Sequence, residues 1–291
     1  MKTLLLAVIA LALAVTPFST RVTAAAAPKR VVAVSFAPVL NTPDFAGSFG
    51  GKVALDPCRG VRPIEFIALP GTLFAVEGEL EKNGVKVLRV TSNDYPYPSK
   101  TGLYVDARFV EEADAAAKDR PRHLPELAEI QKRLLAALGK PYVWGGNVKD
   151  GVPLLRKYYP HGDPLAGVDC SGLLYQATDG FTPRNTSTLI GYGEAVPVAG
   201  LSAEAIARKL KPLDLLVWNG HVMVVLDDES IIESRMGCGG KRSGVMMTPR
   251  LELIRQIMKT RKPADSFPKG SAGGGAFVVR RWFPPGGAGA P

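Results

Sequence analysis

The stretch that decides the fold is Asp169-Cys170-Ser171-Gly172-Leu173. Residues Cys170–Ala177 read as a helix that Asp179-Gly180 ends, so Cys170 is predicted to open a helix that Asp169 caps. A cysteine in a first turn lies beside unpaired backbone N–H groups and the positive end of the helix dipole, which favours the thiolate. The motif therefore predicts a nucleophile, with a buried structural cysteine as the alternative.

A histidine that follows 51 positions later, from 170 to 221, supplies a candidate base. Leu215–Trp218 and Val222–Leu226 are strand candidates, and Asn219-Gly220 between them is a strong hairpin turn. His221 is therefore expected at the start of a strand, where a rigid hairpin can hold an imidazole within reach of a thiol. A solvated histidine beside a turn is the alternative.

Two further segments are expected to complete this site. The strand candidate that carries Glu233 is predicted to pair with the His221 strand, so its carboxylate can accept from the second ring nitrogen. Upstream, Pro141–Gly146 contains Tyr142, whose hydroxyl can help to stabilise an oxyanion, and Trp144. A solvated carboxylate is the alternative for Glu233, and core packing is the alternative for Trp144.

Five ordered motifs within residues 124–260 resemble the NlpC-type cell-wall cysteine peptidases. They are Pro141-Tyr142-Val143-Trp144-Gly145-Gly146, Asp169–Leu173, Pro183-Arg184, Lys211-Pro212-Leu213-Asp214-Leu215 and His221. The resemblance implies an α+β, papain-like catalytic domain in which helices pack on an antiparallel sheet. It also implies cleavage of peptidoglycan stem peptides, typically between D-glutamate and diaminopimelate or lysine.

The same resemblance implies a role for each matching residue. The expected catalytic residues are Cys170 as nucleophile, His221 as base, Glu233 as the group that orients His221, and Tyr142 at the oxyanion. The expected substrate contacts are Asp169, Ser171, Trp144 and Gly220, with Asp169 and Ser171 facing the substrate's free amine. No metal site and no cofactor are expected, because the histidines are scattered and the cysteines lack paired spacing.

Three departures from the family pattern are visible. The third catalytic position is often histidine in the family, where this chain has Glu233. Leu213 occupies a position before Asp214 that is usually glycine, so the turn is expected to differ. The segment Asn147–Val168 is longer than usual and is predicted to form a loop over the cleft.

The part of the chain before the motifs is predicted to be a small all-β domain. Short strand candidates at 31–36, 64–68, 72–76, 85–91 and 103–109 alternate with turns, as in small barrels. Their pattern resembles bacterial SH3-like modules. The expected divisions are a signal peptide at 1–24, an SH3-like domain at 28–118, the peptidase domain at 121–283 and a disordered tail at 284–291.

The start of the sequence and the number of cysteines indicate in which cellular compartment the protein works. Leu4 to Val15 is an apolar run after Met1-Lys2, and it is too short to span a bilayer, so export by a cleaved signal peptide is expected. Three cysteines are an odd number in an oxidising compartment. Cys170 is expected to stay free, while Cys58 and Cys238 either form a bridge or remain two buried thiols.

Composition limits the partners. The formal net charge of +9 favours attraction to anionic cell-wall polymers or lipid headgroups. Nucleic acid is not expected, because no dense basic run interleaves with aromatic residues. The expected partner is a peptidoglycan stem peptide, without membrane insertion and with a monomer as the working oligomeric state. An amidase or acyltransferase on the same scaffold and an inactive wall-binding protein are the alternative functions.

Overall fold

Two large, mainly antiparallel sheets, with helices covering the second, and one short two-stranded sheet form the architecture of the computed structural model. The structure describes residues 29–50, 62–114, 116–161, 165–237, 242–268 and 275–284. The expected α+β class, with helices on an antiparallel sheet, is confirmed. The SH3-like assignment of the first sheet and the domain limits stay predictions.

The first sheet has seven strands in the spatial order β3-β2-β6-β5-β4-β1-β7. Two predicted strands, at 64–68 and 85–91, have the predicted limits, whereas the strand predicted at 72–76 extends to 82 because it pairs along the whole length of its hairpin partner. The piece predicted at 31–36 is divided between two strands. The elements are β1 (Arg30–Ala33), β2 (Ala37–Leu40), α1 (Phe45–Phe49), β3 (Ile64–Ala68), β4 (Leu73–Lys82), β5 (Val85–Thr91), β6 (Leu103–Asp106), a 3-10 turn (Ala107–Phe109) and β7 (Val110–Glu112).

The segment after the Pro141–Gly146 motif packs against this first sheet. It contains β8 (Asn147–Val148), α3 (Pro153–Tyr158) and β9 (Gly167–Val168). Five of its apolar side chains belong to the same buried cluster as the first sheet: Val148, Val152, Leu155, Tyr159 and Leu165. The prediction of a loop over the cleft is therefore wrong, because these side chains are drawn into an apolar core and leave solvent.

The second sheet has the order β10-β16-β11-β12-β13-β14, with β15 pairing in parallel to β16. The final strand thus lies inside the sheet, between the first and third strands in that order. The elements are α2 (Leu127–Leu135), α4 (Cys170–Ala177), α5 (Thr186–Leu189), β10 (Glu194–Val196), α6 (Ala203–Lys209), β11 (Leu215–Trp218), β12 (His221–Val225), β13 (Ser230–Arg235), β14 (Gly244–Pro249), α7 (Arg250–Met258), β15 (Lys262–Pro263) and β16 (Ala276–Arg281).

Two apolar clusters cover the two faces of the second sheet. On one face, side chains of α2 and α4 pack with alternate strand residues such as Val222 and Val224. On the other, α6 and α7 pack with the intervening residues such as Met223 and Val225. This alternation is what the two-residue period of a strand requires when both faces are buried. The helix that begins at Cys170 is thereby fixed against β12 and β13.

Leu213, the residue in the usual glycine position, has a left-handed backbone with φ of +66°. Its side chain is fully buried and its carbonyl accepts a hydrogen bond from the Trp282 indole at 2.8 Å. The backbone therefore keeps a conformation that glycine adopts freely, at a cost of roughly 1–2 kcal/mol for an L-residue. Burial of the leucine side chain in the second core offsets that strain.

Several expectations fall outside the described residues. These are the signal peptide, the pairing of Cys58 with Cys238, and all of the predicted tail except Pro284. Within the described residues, no helix is both long enough and apolar enough to cross a bilayer.

Candidate active site

Helix α4 begins at the predicted residue and is capped as expected. Asp169 has an extended backbone, and its carboxylate accepts from the Gly172 N–H at 2.7 Å. Cys170 occupies the first helical position and is 7% exposed. Gly172 has to be glycine, because a Cβ there would lie 2.0 Å from the Gly146 carbonyl oxygen. The motif around the cysteine therefore packs tightly against the Pro141–Gly146 motif.

The hairpin of β11 and β12 brings His221 to the thiol. Trp218 pairs with His221 across the two-residue turn, and Gly220 in that turn has φ of +94°. The Cys170 Sγ lies 4.0 Å from the carbonyl oxygen of Gly220, the residue that precedes His221 in the chain. The hairpin turn that carries His221 therefore lies beside the start of α4, and the catalytic roles of Cys170 and His221 stay predictions.

Glu233 on β13 holds the other side of the imidazole. Its Oε2 lies 2.7 Å from His221 Nε2, and its side chain is 1% exposed. Since Nε2 is engaged by this carboxylate, Nδ1 is the ring nitrogen available to the thiol. The second oxygen, Oε1, has no hydrogen-bond partner among the described residues, and Arg235 Nη1 lies 3.8 Å from it.

Opposing effects set the protonation of His221. Burial acts to lower the pKa of the imidazole, whereas the hydrogen bonds and negative charges of Cys170 and Glu233 act to raise it. The partners prevail, and the pKa is raised from 6.5 to about 9. A protonated imidazole beside a thiol is the arrangement that favours a thiolate–imidazolium pair.

Tyr142 and Trp144, both in the Pro141–Gly146 motif, have different surroundings. Burial, and then the negative charges of Asp169 and Cys170, raise the pKa of the Tyr142 phenol, so its hydroxyl stays protonated and can donate a hydrogen bond. No hydrogen bond joins that hydroxyl to any described residue. Trp144 is half-buried and its ring lies under the Arg62 guanidinium, whose carbon is 4.2 Å from the ring centroid.

Asp169 and Ser171 face the protein interior. Both Asp169 oxygens accept bonds, Oδ1 from Gly172 and Oδ2 from the Gly145 N–H at 3.1 Å. The Ser171 hydroxyl donates to Asp169 Oδ1 at 3.2 Å. Sequence reasoning expected these two side chains to face a substrate amine. In the structure their polar atoms are already engaged within the protein.

The group that engages them is Arg184, which sequence reasoning had not assigned a role. Its guanidinium is fully buried and binds Asp169 Oδ1 at 2.9 Å, Asp169 Oδ2 at 2.7 Å and the Ser171 hydroxyl at 2.9 Å. It also donates to the Gly146 carbonyl at 3.2 Å. A bidentate pair of this kind fixes both partners in direction. The motif Pro183-Arg184 was visible, but nothing local signals that its arginine is buried.

Trp218 is a second residue that was missed. Its ring centroid lies 5.1 Å from that of His221, and the Arg261 guanidinium lies over the ring at 4.3 Å. An aromatic ring beside the imidazole shields the His221–Glu233 hydrogen bond from water, which strengthens it. The hairpin pairing of Trp218 with His221 was a signal that could have identified this neighbour.

The first sheet also reaches the site. Gly145 has φ of +70°, and a Cβ on it would lie 2.5 Å from the Ile64 carbonyl oxygen. Asn185, next to Arg184, donates from its backbone to the Tyr97 hydroxyl at 3.2 Å and from its side chain to the Tyr95 hydroxyl at 3.3 Å. Two of the motifs around the cysteine therefore rest on the first sheet and its loops.

Within the described ranges no group of three His, Cys, Asp or Glu side chains is placed to hold a metal ion. The chemistry that the residues themselves support is proton transfer between a thiol and an imidazole whose tautomer a buried carboxylate fixes.

Comparison with known proteins gives structural neighbours. No family model and no curated protein matches the chain. It is similar to the solved structure of an NlpC/P60 family protein from Bacillus cereus, at 16% identity over 89% of this chain and 64% of that chain, with a TM-score of 0.34. It is also similar to the peptidoglycan hydrolase RipB from Mycobacterium tuberculosis, at 24% identity over 53% of this chain and 63% of that chain, with a TM-score of 0.31.

A third neighbour is an NlpC/P60 endopeptidase from Photobacterium damselae subsp. piscicida, at 13% identity over 76% of this chain and 47% of that chain, with a TM-score of 0.29. The chain thus spans less than two thirds of the length of each of these three neighbours. Two of the three carry the name of the family that the sequence motifs resemble.

Proposed function

We propose that this protein is a cell-wall cysteine endopeptidase that hydrolyses peptidoglycan stem peptides. The observation that carries the proposal is the row of three groups: the Cys170 thiol at the start of α4, the His221 imidazole beside it, and the buried Glu233 carboxylate 2.7 Å behind the imidazole. A nucleophile, a base and a group that orients the base are the parts that acyl transfer through a thioester needs.

The first half-reaction forms the acyl-enzyme. The Cys170 proton passes to Nδ1 of His221, and the sulfur attacks the carbonyl carbon of the scissile amide. The Cys170 backbone N–H, at the first position of the helix, has no intrahelical acceptor and is free to bind the oxyanion. The Tyr142 hydroxyl is the second proposed donor, because its motif packs against the first turn of α4 through Gly146 and Gly172. Such donors contribute roughly 10²–10³-fold to the rate of acyl transfer.

The acyl-enzyme is complete when His221 gives its proton to the departing amine as the C–N bond breaks, which leaves a thioester on Cys170. The second half-reaction then hydrolyses this thioester. The neutral imidazole then takes a proton from water, the hydroxide adds to the thioester carbonyl, and the thiolate leaves with the proton returned to the pair. Glu233 holds Nε2 throughout and stabilises the imidazolium each time it forms.

The substrate class rests on the motif resemblance and on charge. The motifs around Cys170 resemble enzymes that cut between D-glutamate and diaminopimelate or lysine, and we propose that bond. Removal of residues 1–24 takes Lys2 and Arg21 with it, so the formal net charge falls from +9 to +7, which still attracts the protein to an anionic wall. Half-buried Trp144 offers apolar surface for the peptide. Such a substrate requires export, which residues 1–24 are proposed to direct.

Purified muropeptides test the bond directly. Incubation with the protein is expected to give fragments with a new amine on diaminopimelate or lysine, as measured by mass spectrometry. Release of a free sugar–lactate end would instead assign an amidase. Unchanged muropeptides together with slow labelling of Cys170 by a thiol probe would contradict enzymatic function altogether.

The pH profile tests the role of Glu233. His221 must be protonated for the ion pair, so activity is expected to fall as pH rises through about 9. In Glu233→Gln the carboxylate that helps to raise this pKa is gone, so the alkaline limb of kcat/KM is expected to move to lower pH. Titration of the imidazole proton signals by NMR gives the same shift without substrate.

Glu229→Gln is the matched control for that experiment, because Glu229 is an exposed carboxylate in the turn before β13. Its alkaline limb is expected to coincide with that of the wild type. An unshifted limb in Glu233→Gln would show that Glu233 does not set the protonation of His221.

A further inference from the structure

Asn147 joins the first sheet to the site. It is fully buried, and its side-chain amide makes two hydrogen bonds to the backbone of one residue of β3. The Ile67 N–H donates to Asn147 Oδ1 at 2.9 Å, and Asn147 Nδ2 donates to the Ile67 carbonyl at 2.9 Å. Because β3 is the edge of its sheet, the amide group takes the place of a neighbouring strand.

The backbone of Asn147 leads directly to the nucleophile. It pairs with Val168 in the two-stranded ladder of β8 and β9, and Val168 is followed by Asp169 and Cys170. One residue earlier, the Gly146 carbonyl accepts from the Asp169 N–H at 2.9 Å. The start of α4 is therefore attached to the same short stretch of chain that Ile67 holds.

Side-chain contacts reinforce this attachment. Arg184, which forms hydrogen bonds with Asp169 and Ser171, also donates from Nε to Asn147 Oδ1 at 3.4 Å. Asn147 Oδ1 thus accepts hydrogen bonds both from the Ile67 N–H of the first sheet and from the Arg184 guanidinium. The asparagine side chain therefore contacts both the first sheet and Arg184.

We propose that Asn147 is a positioning residue, through which the first sheet sets the alignment of Cys170 with His221. The inference rests on the proposed function only in taking Cys170 as the nucleophile. Reacting groups lose about 10²-fold in rate for a misplacement of about 1 Å, so a small shift at the start of α4 is sufficient. The first sheet then contributes to catalysis by positioning Cys170, although it carries none of Cys170, His221 and Glu233.

Alkylation of Cys170 measures that alignment without any substrate. Iodoacetamide reacts with thiolate, and an unassisted thiol ionises mainly near pH 8.5, so rapid reaction at pH 6 reports the pairing with His221. Peptide mass spectrometry separates the label on Cys170 from that on the other cysteines. In Asn147→Ala the rate at pH 6 is expected to fall at least about 10-fold, and kcat by about 10² with little change in KM.

Tyr159→Phe is the matched control, because it removes another buried hydrogen bond between the same segment and the first sheet. The Tyr159 hydroxyl donates to Asp106 Oδ2 at 2.6 Å, but it is not attached to the start of α4. Its alkylation profile is expected to match the wild type, even where thermal unfolding shows a similar loss of stability.

A second variant with a milder substitution keeps the test decisive if Asn147→Ala does not fold. Asn147→Asp keeps an acceptor for Ile67 and Arg184 and loses the donor, so a smaller change in the same direction is expected. If the Asn147 variants and Tyr159→Phe show coincident alkylation profiles, the inference is overturned and Asn147 only stabilises the junction. If the wild type cleaves no muropeptide, the proposed function fails, while the alkylation comparison still decides the role of Asn147.

Discussion

Replacing Cys170 with alanine is expected to reduce hydrolysis of muropeptides by roughly 10⁴-fold or more while the fold persists. The sulfur is the only heavy atom lost; it lies 4.0 Å from the Gly220 carbonyl oxygen, and Cys170 belongs to a buried cluster whose other members are unchanged. Thermal unfolding of the variant is therefore expected to stay close to that of the wild type. Turnover is measured by the release of new amine.

Histidine variants provide the companion test. His221→Ala is expected to show a loss of similar size, because the thiol then has no base and the departing amine no acid. His161→Ala is the matched control, since His161 is exposed in the turn after α3, and its turnover is expected to equal that of the wild type. Near wild-type turnover in Cys170→Ala would remove the proposed mechanism.

Replacing Arg184 with methionine is expected to produce the largest loss of stability, roughly 3–5 kcal/mol in the free energy of unfolding. The ion pair between Arg184 Nη2 and Asp169 Oδ2 is 2.7 Å long, and the side chains are 1% and 12% exposed. Methionine fills much of the volume but leaves the Asp169 carboxylate buried without its cation. Urea unfolding followed by circular dichroism measures the change.

Arg255→Met is the matched control. The Arg255–Glu204 ion pair has the same length of 2.7 Å, but its side chains are 59% and 43% exposed. Exposed pairs contribute at most about 1 kcal/mol, so the control is expected to unfold nearly as the wild type does. Equal effects of the two substitutions would show that burial of Arg184 does not determine its contribution.

The elements that local sequence determines were predictable. Helix α4 begins at Cys170 because the apolar pattern, the capping Asp169 and the following Asp179-Gly180 act within a few residues of one another. The β11–β12 hairpin was predictable for the same reason, since Asn219-Gly220 favours a two-residue turn. Once both were placed, the meeting of Cys170 and His221 followed from the family resemblance.

Interactions between distant segments were not predictable. The burial of Arg184 depends on Asp169 and Gly146, which are 15 and 38 positions away in the sequence. Asn147 depends on Ile67 across 80 positions. An isolated polar residue in a loop looks the same whether it faces water or a buried partner. For that reason the side chains expected at the substrate, Asp169 and Ser171, could not be distinguished from an internal network.

The shared core of the first sheet and the segment from Asn147 to Leu165 limits how this protein can be recombined. A chimera cut near residue 120, which places the second sheet on a foreign carrier, would leave Val148, Val152 and Leu155 facing water. Aggregation is the outcome to expect of such a hybrid. Engineers who wish to retarget the protein should therefore transplant both sheets together and attach any new module ahead of residue 29.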